Sequence, residues 1–251
     1  MGQIETEGII LKTYSLAEAD KIVLLLTENF GLVRGVAKGA KRLKSKFGGI
    51  LEPFSVVAAD LYQKEERELV SIRGMELKKS YFREASNPQV LQKLAYLSEL
   101  LIEFSPPHDP NVRVYRMAKV CFDAIIENPE MIELIILYFE FWVLRLGGYL
   151  PNWEKCNICQ TRFNEREMSD LQINFHLICE RCRRHKSQQI VNSEMRRIFL
   201  EAENSSPNRF IENFGDKDES VFNLSVIMKQ IINQILNREI ISQKFLVTSQ
   251  S

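Results

Sequence analysis

The chain has little of what hydrolytic and transfer enzymes are built from. Among its 251 residues there are only three histidines, His108, His176 and His185. His108 stands in Pro106-Pro107-His108-Asp109-Pro110, which reads as a connection and not as the setting of a catalytic base. No nucleophile motif accompanies the histidines, and the G-x-x-x-x-G-K-[ST] order of a phosphate-binding loop is missing. No set of residues fills the roles of nucleophile, base and orienting group, so the sequence predicts a binding protein and not an enzyme.

Net charge is lacking too: 33 Lys and Arg balance 33 Asp and Glu. Any argument for a polyanionic partner must therefore rest on where the charge lies, not on its sum. Uninterrupted hydrophobic runs are short. The first, Gly8-Ile9-Ile10-Leu11, lies between Glu7 and Lys12 and does not make a signal peptide. The longest, Met131 to Leu150, contains Glu133, Glu140 and Arg145; each charge is expensive in a bilayer centre. That segment predicts a buried helix, no membrane span and a cytoplasmic protein. Repeats and low-complexity tracts are absent. What remains is ordinary for a globular chain, with 45% hydrophobic and 26% charged residues, enough for one large domain or two modest ones.

Two regions differ in character. Ile4–Tyr14, Lys21–Thr27, Gly31–Ala37, Phe54–Tyr62 and Leu69–Tyr81 are five candidate strands, rich in Ile, Val, Leu and Tyr and separated by polar or Gly-containing connections. Five short strands in about eighty residues suit a small closed barrel, OB-like or SH3-like. After Ser86-Asn87-Pro88 the period changes. Val90, Leu94, Leu97, Leu101 and Phe104 fall on one helical face, and Ser105-Pro106-Pro107 ends that helix. Val114, Met117, Cys121 and Ala124 repeat the spacing. Met131 to Leu146, apolar nearly all round, predicts the central helix of a bundle and stops at Gly147-Gly148. Ser193–Glu203 and Glu219–Leu236 are further amphipathic segments. The class is α+β: a five-stranded barrel over 1–82, then a helical domain over 83–251 with a cysteine module at 153–186.

Four of the five cysteines form that module. Cys156-x2-Cys159 is followed after nineteen residues by Cys179-x2-Cys182. Two residues between cysteines let a tight turn aim both sulfurs at one ion, and two such turns complete a tetrahedron. Reducing surroundings favour metal over disulfides. Four sulfur ligands leave no open position for water, so the predicted zinc is structural, not catalytic. His176 and His185 read as surface residues beside a set that already suffices. Cys121, on an apolar helix face, reads as core.

Between Gly31 and Ile50 the acids vanish. The stretch carries Arg34, Lys38, Lys41, Arg42, Lys44 and Lys46, punctuated by Gly35, Gly39, Gly48 and Gly49. Cations on a glycine-rich loop suit phosphates along a nucleic-acid strand. Phe47 is the only aromatic there, so electrostatics should dominate over stacking. A second cluster, Arg181, Arg183, Arg184 and Lys186, follows the last ligands and either extends such a path or is a solvated surface.

These segments resemble the bacterial RecO family of recombination mediators. The resemblance runs through Gly8-Ile9-Ile10-Leu11-Lys12, Glu18-Ala19-Asp20-Lys21 and Leu24-Leu25-Leu26-Thr27. It is densest at Ala37-Lys38-Gly39-Ala40-Lys41-Arg42 and at Lys44-Ser45-Lys46-Phe47-Gly48-Gly49-Ile50-Leu51-Glu52-Pro53-Phe54. It continues in Leu146-Gly147-Gly148-Tyr149-Leu150-Pro151 and the four cysteines. The resemblance implies an OB-fold, a helical domain and a zinc module lodged in it. It also implies binding of single- and double-stranded DNA at the nucleoid, annealing of complementary strands, and action with RecR to load RecA on DNA coated by single-stranded-DNA-binding protein (SSB). It places barrel contacts to DNA at Lys38, Lys41, Arg42, Lys44 and Lys46, and contacts to the acidic SSB tail in the helical domain. The competing reading is a zinc-ribbon accessory protein of transcription or translation that uses the barrel for RNA.

Overall fold

The computed structural model describes residues 2–63, 69–84, 87–184, 189–216 and 218–242. The chain divides into two compact units, Met1–Pro129 with Glu239–Ser251, and Glu130–Arg238.

In the first unit β1 (Gly2–Leu16), β2 (Asp20–Thr27), β3 (Gly31–Ala37), β4 (Ser55–Gln63) and β5 (Val70–Ser80) close a barrel in the order β1-β2-β3-β5-β4. β1 pairs with both β2 and β4, and all ladders are antiparallel except β3 with β5. That parallel seam is only two pairs long, Gly35 with Val70 and Val36 with Ser71. The result is a closed five-stranded barrel with the OB-type strand order, which resolves the choice that strand pattern alone leaves open.

The apolar runs in β1 and β2 have a physical cause. Val23 and Leu25 point into the barrel core with Ile10, Val33, Val57 and Leu61. Leu24 and Leu26 are buried as well, at 3% and 2% exposure. A strand covered on both faces loses its alternation. Part of the outer cover is α2 (Pro88–Phe104), which packs on β1. Asn87 caps α2 by accepting from the Gln89 amide, and Asn111 caps α3 (Val112–Glu127) in the same way. α1 (Tyr81–Glu84) is a single turn between barrel and α2.

Polar contacts tie α3 to the barrel. Tyr115 Oη and Lys119 Nζ both donate to Glu7 Oε1 at 2.7 Å, and Lys79 Nζ and Tyr81 Oη both donate to Asp123 at 2.8 Å. The division by compactness therefore falls at Pro129, while the change in sequence character falls near residue 82. The connection between α2 and α3 also closes on β3: Leu32 bridges Pro107, and the His108 amide donates to the Leu32 carbonyl at 3.1 Å. Gly31 is required by this approach. Its φ is +65°, and a Cβ there would lie 2.3 Å from the Asp109 carbonyl oxygen.

In the second unit α4 (Ile132–Leu146) is buried on nearly every side, Glu140 included. It packs against α6 (Pro207–Phe214) and α7 (Asp218–Leu236), and α5 (Ser193–Glu201) packs against α7. A small antiparallel sheet carries the cysteine module in the order β7-β6-β8, from β6 (Ser169–Leu171), β7 (Leu177–Cys179) and β8 (Ile190–Val191). Neither this sheet nor α6 is anticipated by periodicity; strands of two or three residues are too short to show it. No helix among the described residues is long and apolar enough to cross a membrane.

Candidate metal centre and nucleic-acid interface

The four sulfurs of Cys156, Cys159, Cys179 and Cys182 lie within 4.8 Å of one another. Cys159 Sγ and Cys179 Sγ are 3.8 Å apart. A tetrahedral cation with metal–sulfur bonds of about 2.3 Å sets its ligands roughly 3.8 Å apart, so the spacing fits such an ion. Cys156 lies on the turn after Trp153, whose ring stacks on Phe199 of α5 at 4.2 Å. Cys179 ends β7, and Cys182 follows on a single 3-10 turn.

The electrostatics suit a cation as well. Burial favours the neutral Cys156 thiol, but the amides of Cys159, Cys179 and Ile158 outweigh it and hold the group below the ordinary thiol range. Hydrogen bonding with the Thr161 hydroxyl, then its amide, brings Cys159 down to about 6. Cys182 is pushed up to about 12, first through its hydrogen bond with Cys179 and then by burial. Sulfurs this close cannot all carry charge unaided, and a bound dication removes the conflict. His176 is not part of the cluster, and His185 lies outside the described residues. Cys121 is wholly buried, and burial pushes its thiol up; it is core.

Arg196 of α5 fastens the module to the helices. It is 4% exposed, donates to the carbonyls of Glu167 and Asn164 and to Ser169 Oγ, and lies 4.8 Å over the Phe163 ring. Sequence reading misses this residue, because an arginine on an amphipathic helix looks solvated. In the second basic cluster Arg183 pairs with Asp170 at 3.3 Å and Glu180 at 3.5 Å, while Arg181 and Arg184 are exposed. Lys186 lies outside the described residues.

In the barrel unit, Arg34 of β3 and Lys38, Lys41, Arg42, Lys44 and Lys46 of the following loop are all exposed. The glycines suggest slack, but the loop is a chain of turns. Amides of Arg42, Ser45, Gly48 and Ile50 donate to carbonyls of Gly39, Arg42, Ser45 and Phe47 at 3.0–3.2 Å. The β1–β2 turn anchors it: the Gly39 amide donates to Asp20 at 2.7 Å, and the Lys41 amide and ammonium donate to Ala19 and Ala17 carbonyls at 2.9 Å. Phe47 and Leu51 plug into the barrel core. The loop's sole aromatic is thus unavailable for stacking on bases. Arg73, which the sequence does not single out, joins the cationic surface: Lys46 Nζ donates to its carbonyl, and its guanidinium lies 4.1 Å over Tyr62. A shallow concavity on β1, β4 and β5 is instead lined by Glu5, Asp60 and Glu76. Positive charge is therefore confined locally, although the chain's sum is zero.

Two family models match the chain: Recombination protein O N terminal over residues 1–81, and Recombination protein O C terminal over residues 90–206. The chain is similar to the DNA repair protein RecO of Koribacter versatilis, 31% identical over 163 residues, covering 64% of this chain and 66% of that protein. It is also similar to those of Syntrophus aciditrophicus, 28% identical over 65% of this chain and 62% of that protein, and Geobacter metallireducens, 29% identical over 74% and 75%. The match thus spans just under two thirds of the first two relatives.

Proposed function

We propose, from the premise that this chain belongs to the RecO family of bacterial recombination and DNA repair proteins, that it is a non-catalytic DNA-binding mediator held in shape by one zinc ion. The observation that carries the reading is the acid-free loop after β3: five exposed cations on a string of turns fixed to a closed barrel. Phosphates repeat along a strand whatever its sequence, and a row of fixed cations meets them without reading bases. Neutralising both strands also lowers the repulsion that opposes annealing. Residues 1–82 are then the DNA-binding domain, with Arg34, Lys38, Lys41, Arg42, Lys44 and Lys46 as contacts and Arg181, Arg183, Arg184 and Lys186 as a secondary set. Membership supports the remaining roles: annealing, capture of the acidic SSB tail by the helical domain, and loading of RecA with RecR in the cytoplasm at the nucleoid.

Cys156, Cys159, Cys179 and Cys182 would hold the zinc. The ion supplies folding energy to the module and no chemistry, because four thiolates close its coordination sphere. The test is binding of the whole chain to matched DNA and RNA strands across a salt series, beside the variant Lys38→Ala/Arg42→Ala/Lys44→Ala. Preference for DNA with a flatter salt slope in the variant supports the reading. Preference for RNA restores the accessory-protein alternative, and an unchanged slope removes the loop as the contact.

A further inference from the structure

The basic loop carries one side chain that its charge does not explain. Leu43 is fully exposed, with 102% relative accessibility. A single exposed aliphatic group is ordinary on a protein surface, but three observations separate this one from a bystander. It stands between Arg42 and Lys44, with Lys41 and Lys46 close by in sequence and all of them exposed. The turn that presents it is fixed: the Arg42 amide donates to Gly39 at 3.1 Å, the Ser45 amide donates to Arg42 at 3.0 Å, and Lys41 is tied twice to the β1–β2 turn. Finally, the loop's other large apolar side chains turn inward. Phe47 and Leu51 are in the barrel core and Ile50 packs against it, so Leu43 is the one large apolar group that the loop offers outward.

From these observations the geometry points to Leu43 as an apolar wedge that enters the base stack of a single strand held by the flanking cations. The inference rests on the DNA-binding reading of the same loop. Its chemistry is independent of charge. Cations on either side fix the sugar–phosphate backbone, and the bases lie one sugar away. An aliphatic group at that place escapes water by entering the gap between two bases, as leucine wedges do where proteins unstack a base step. The wedge reads no base edge, so it acts on any sequence. It replaces the aromatic platform that the buried Phe47 cannot supply. A step opened in this way presents unstacked bases to an incoming complementary strand.

The test uses the full chain and an oligonucleotide carrying 2-aminopurine between adenines, a base that is dim when stacked and bright when unstacked. At saturating wild-type protein the probe brightens. At saturating Leu43→Ala most of the brightening is lost, and affinity at fixed salt falls about ten- to a hundredfold, the effect of withdrawing one buried aliphatic side chain from an interface. The salt slope stays that of the wild type, because no cation has been removed. Leu43 supports no packing in the free protein, so the variant folds, and unchanged thermal unfolding verifies it. Equal brightening with Leu43→Ala, or none with wild type, overturns the wedge while an intact salt slope leaves the cationic loop standing. A salt slope insensitive to Lys38→Ala/Arg42→Ala/Lys44→Ala overturns the loop reading and the wedge with it.

Discussion

Removing three loop cations gives the most exacting check on the interface. Lys38, Arg42 and Lys44 are the residues to change, because each is exposed and none has a side-chain hydrogen bond or ion pair among the described residues. Lys41 and Lys46 are less suitable: their ammonium groups hold the Ala17 and Arg73 carbonyls, and their loss would disturb the loop as well as its charge. Each phosphate neutralised on a single strand contributes roughly −0.7 to the slope of log affinity against log salt. With all three cations gone, the slope flattens by about 2. Between about 50 and about 200 mM salt, the wild type should then lose roughly twentyfold more affinity than the triple alanine variant. Fluorescence anisotropy with strands of unrelated sequence measures this, and the change should be the same for each, since phosphate contacts carry no sequence information. The matching control is Arg113→Ala/Arg116→Ala/Arg209→Ala, three exposed charges removed away from the loop. Lys79 and Arg83 would be poor controls, being paired with Asp123 at 2.8 Å and Glu52 at 3.4 Å. If the control flattens the slope equally, general charge is responsible and the argument from the loop is refuted.

Three further outcomes follow from the rest of the molecule. Metal analysis of protein purified without chelator should find about one zinc per chain; Cys179→Ser should lose it and expose the module to proteolysis, whereas iron or no metal would contradict the assignment. The Glu7 carboxyl is held below the ordinary glutamate range, first by its hydrogen bond with Lys119, against partial burial and with help from Tyr115. Its contribution is therefore fully present above the unfolded value, near 4.5, and is lost as pH falls through the lower folded value. The difference in thermal stability between wild type and Glu7→Gln should shrink as pH drops below that range, and a gap that persists at low pH would show that the pair is not the cause. Gly31→Ala should destabilise by about 2–4 kcal/mol, because it adds a left-handed backbone cost to a clash with Asp109. Gly74→Ala, where a Cβ meets nothing within 4 Å, should stay within about 0.5 kcal/mol by denaturant unfolding.

How far the sequence can be read depends on how far apart the interacting residues lie. The strands of the barrel are legible to within a few residues, since each carries its own run of Ile, Val and Leu and is bounded by glycine or polar turns. The cysteine cluster is legible because each Cys-x2-Cys pair is a local turn, and only the meeting of the two pairs is long-range. Arg196 is not legible, because its partners at Asn164, Glu167 and Ser169 come from another element. Nor is the tie between Glu7 and α3, whose residues are more than one hundred positions apart in the chain. The basic loop lies between these cases. Its charge is plain from composition, but the same composition suggests slack, and slack would make its cations costly to order on a ligand. Which of its apolar residues faces inward decides the matter. Phe47 and Leu51 are four apart and both pack into the barrel core, which fixes the turns between Gly39 and Ile50. With those turns fixed, the cations are held in place before any strand arrives, and Leu43 is left outside by the same constraint that draws Phe47 in. A loop of equal charge without that plug would incur an ordering cost on binding; here folding of the barrel has already met it.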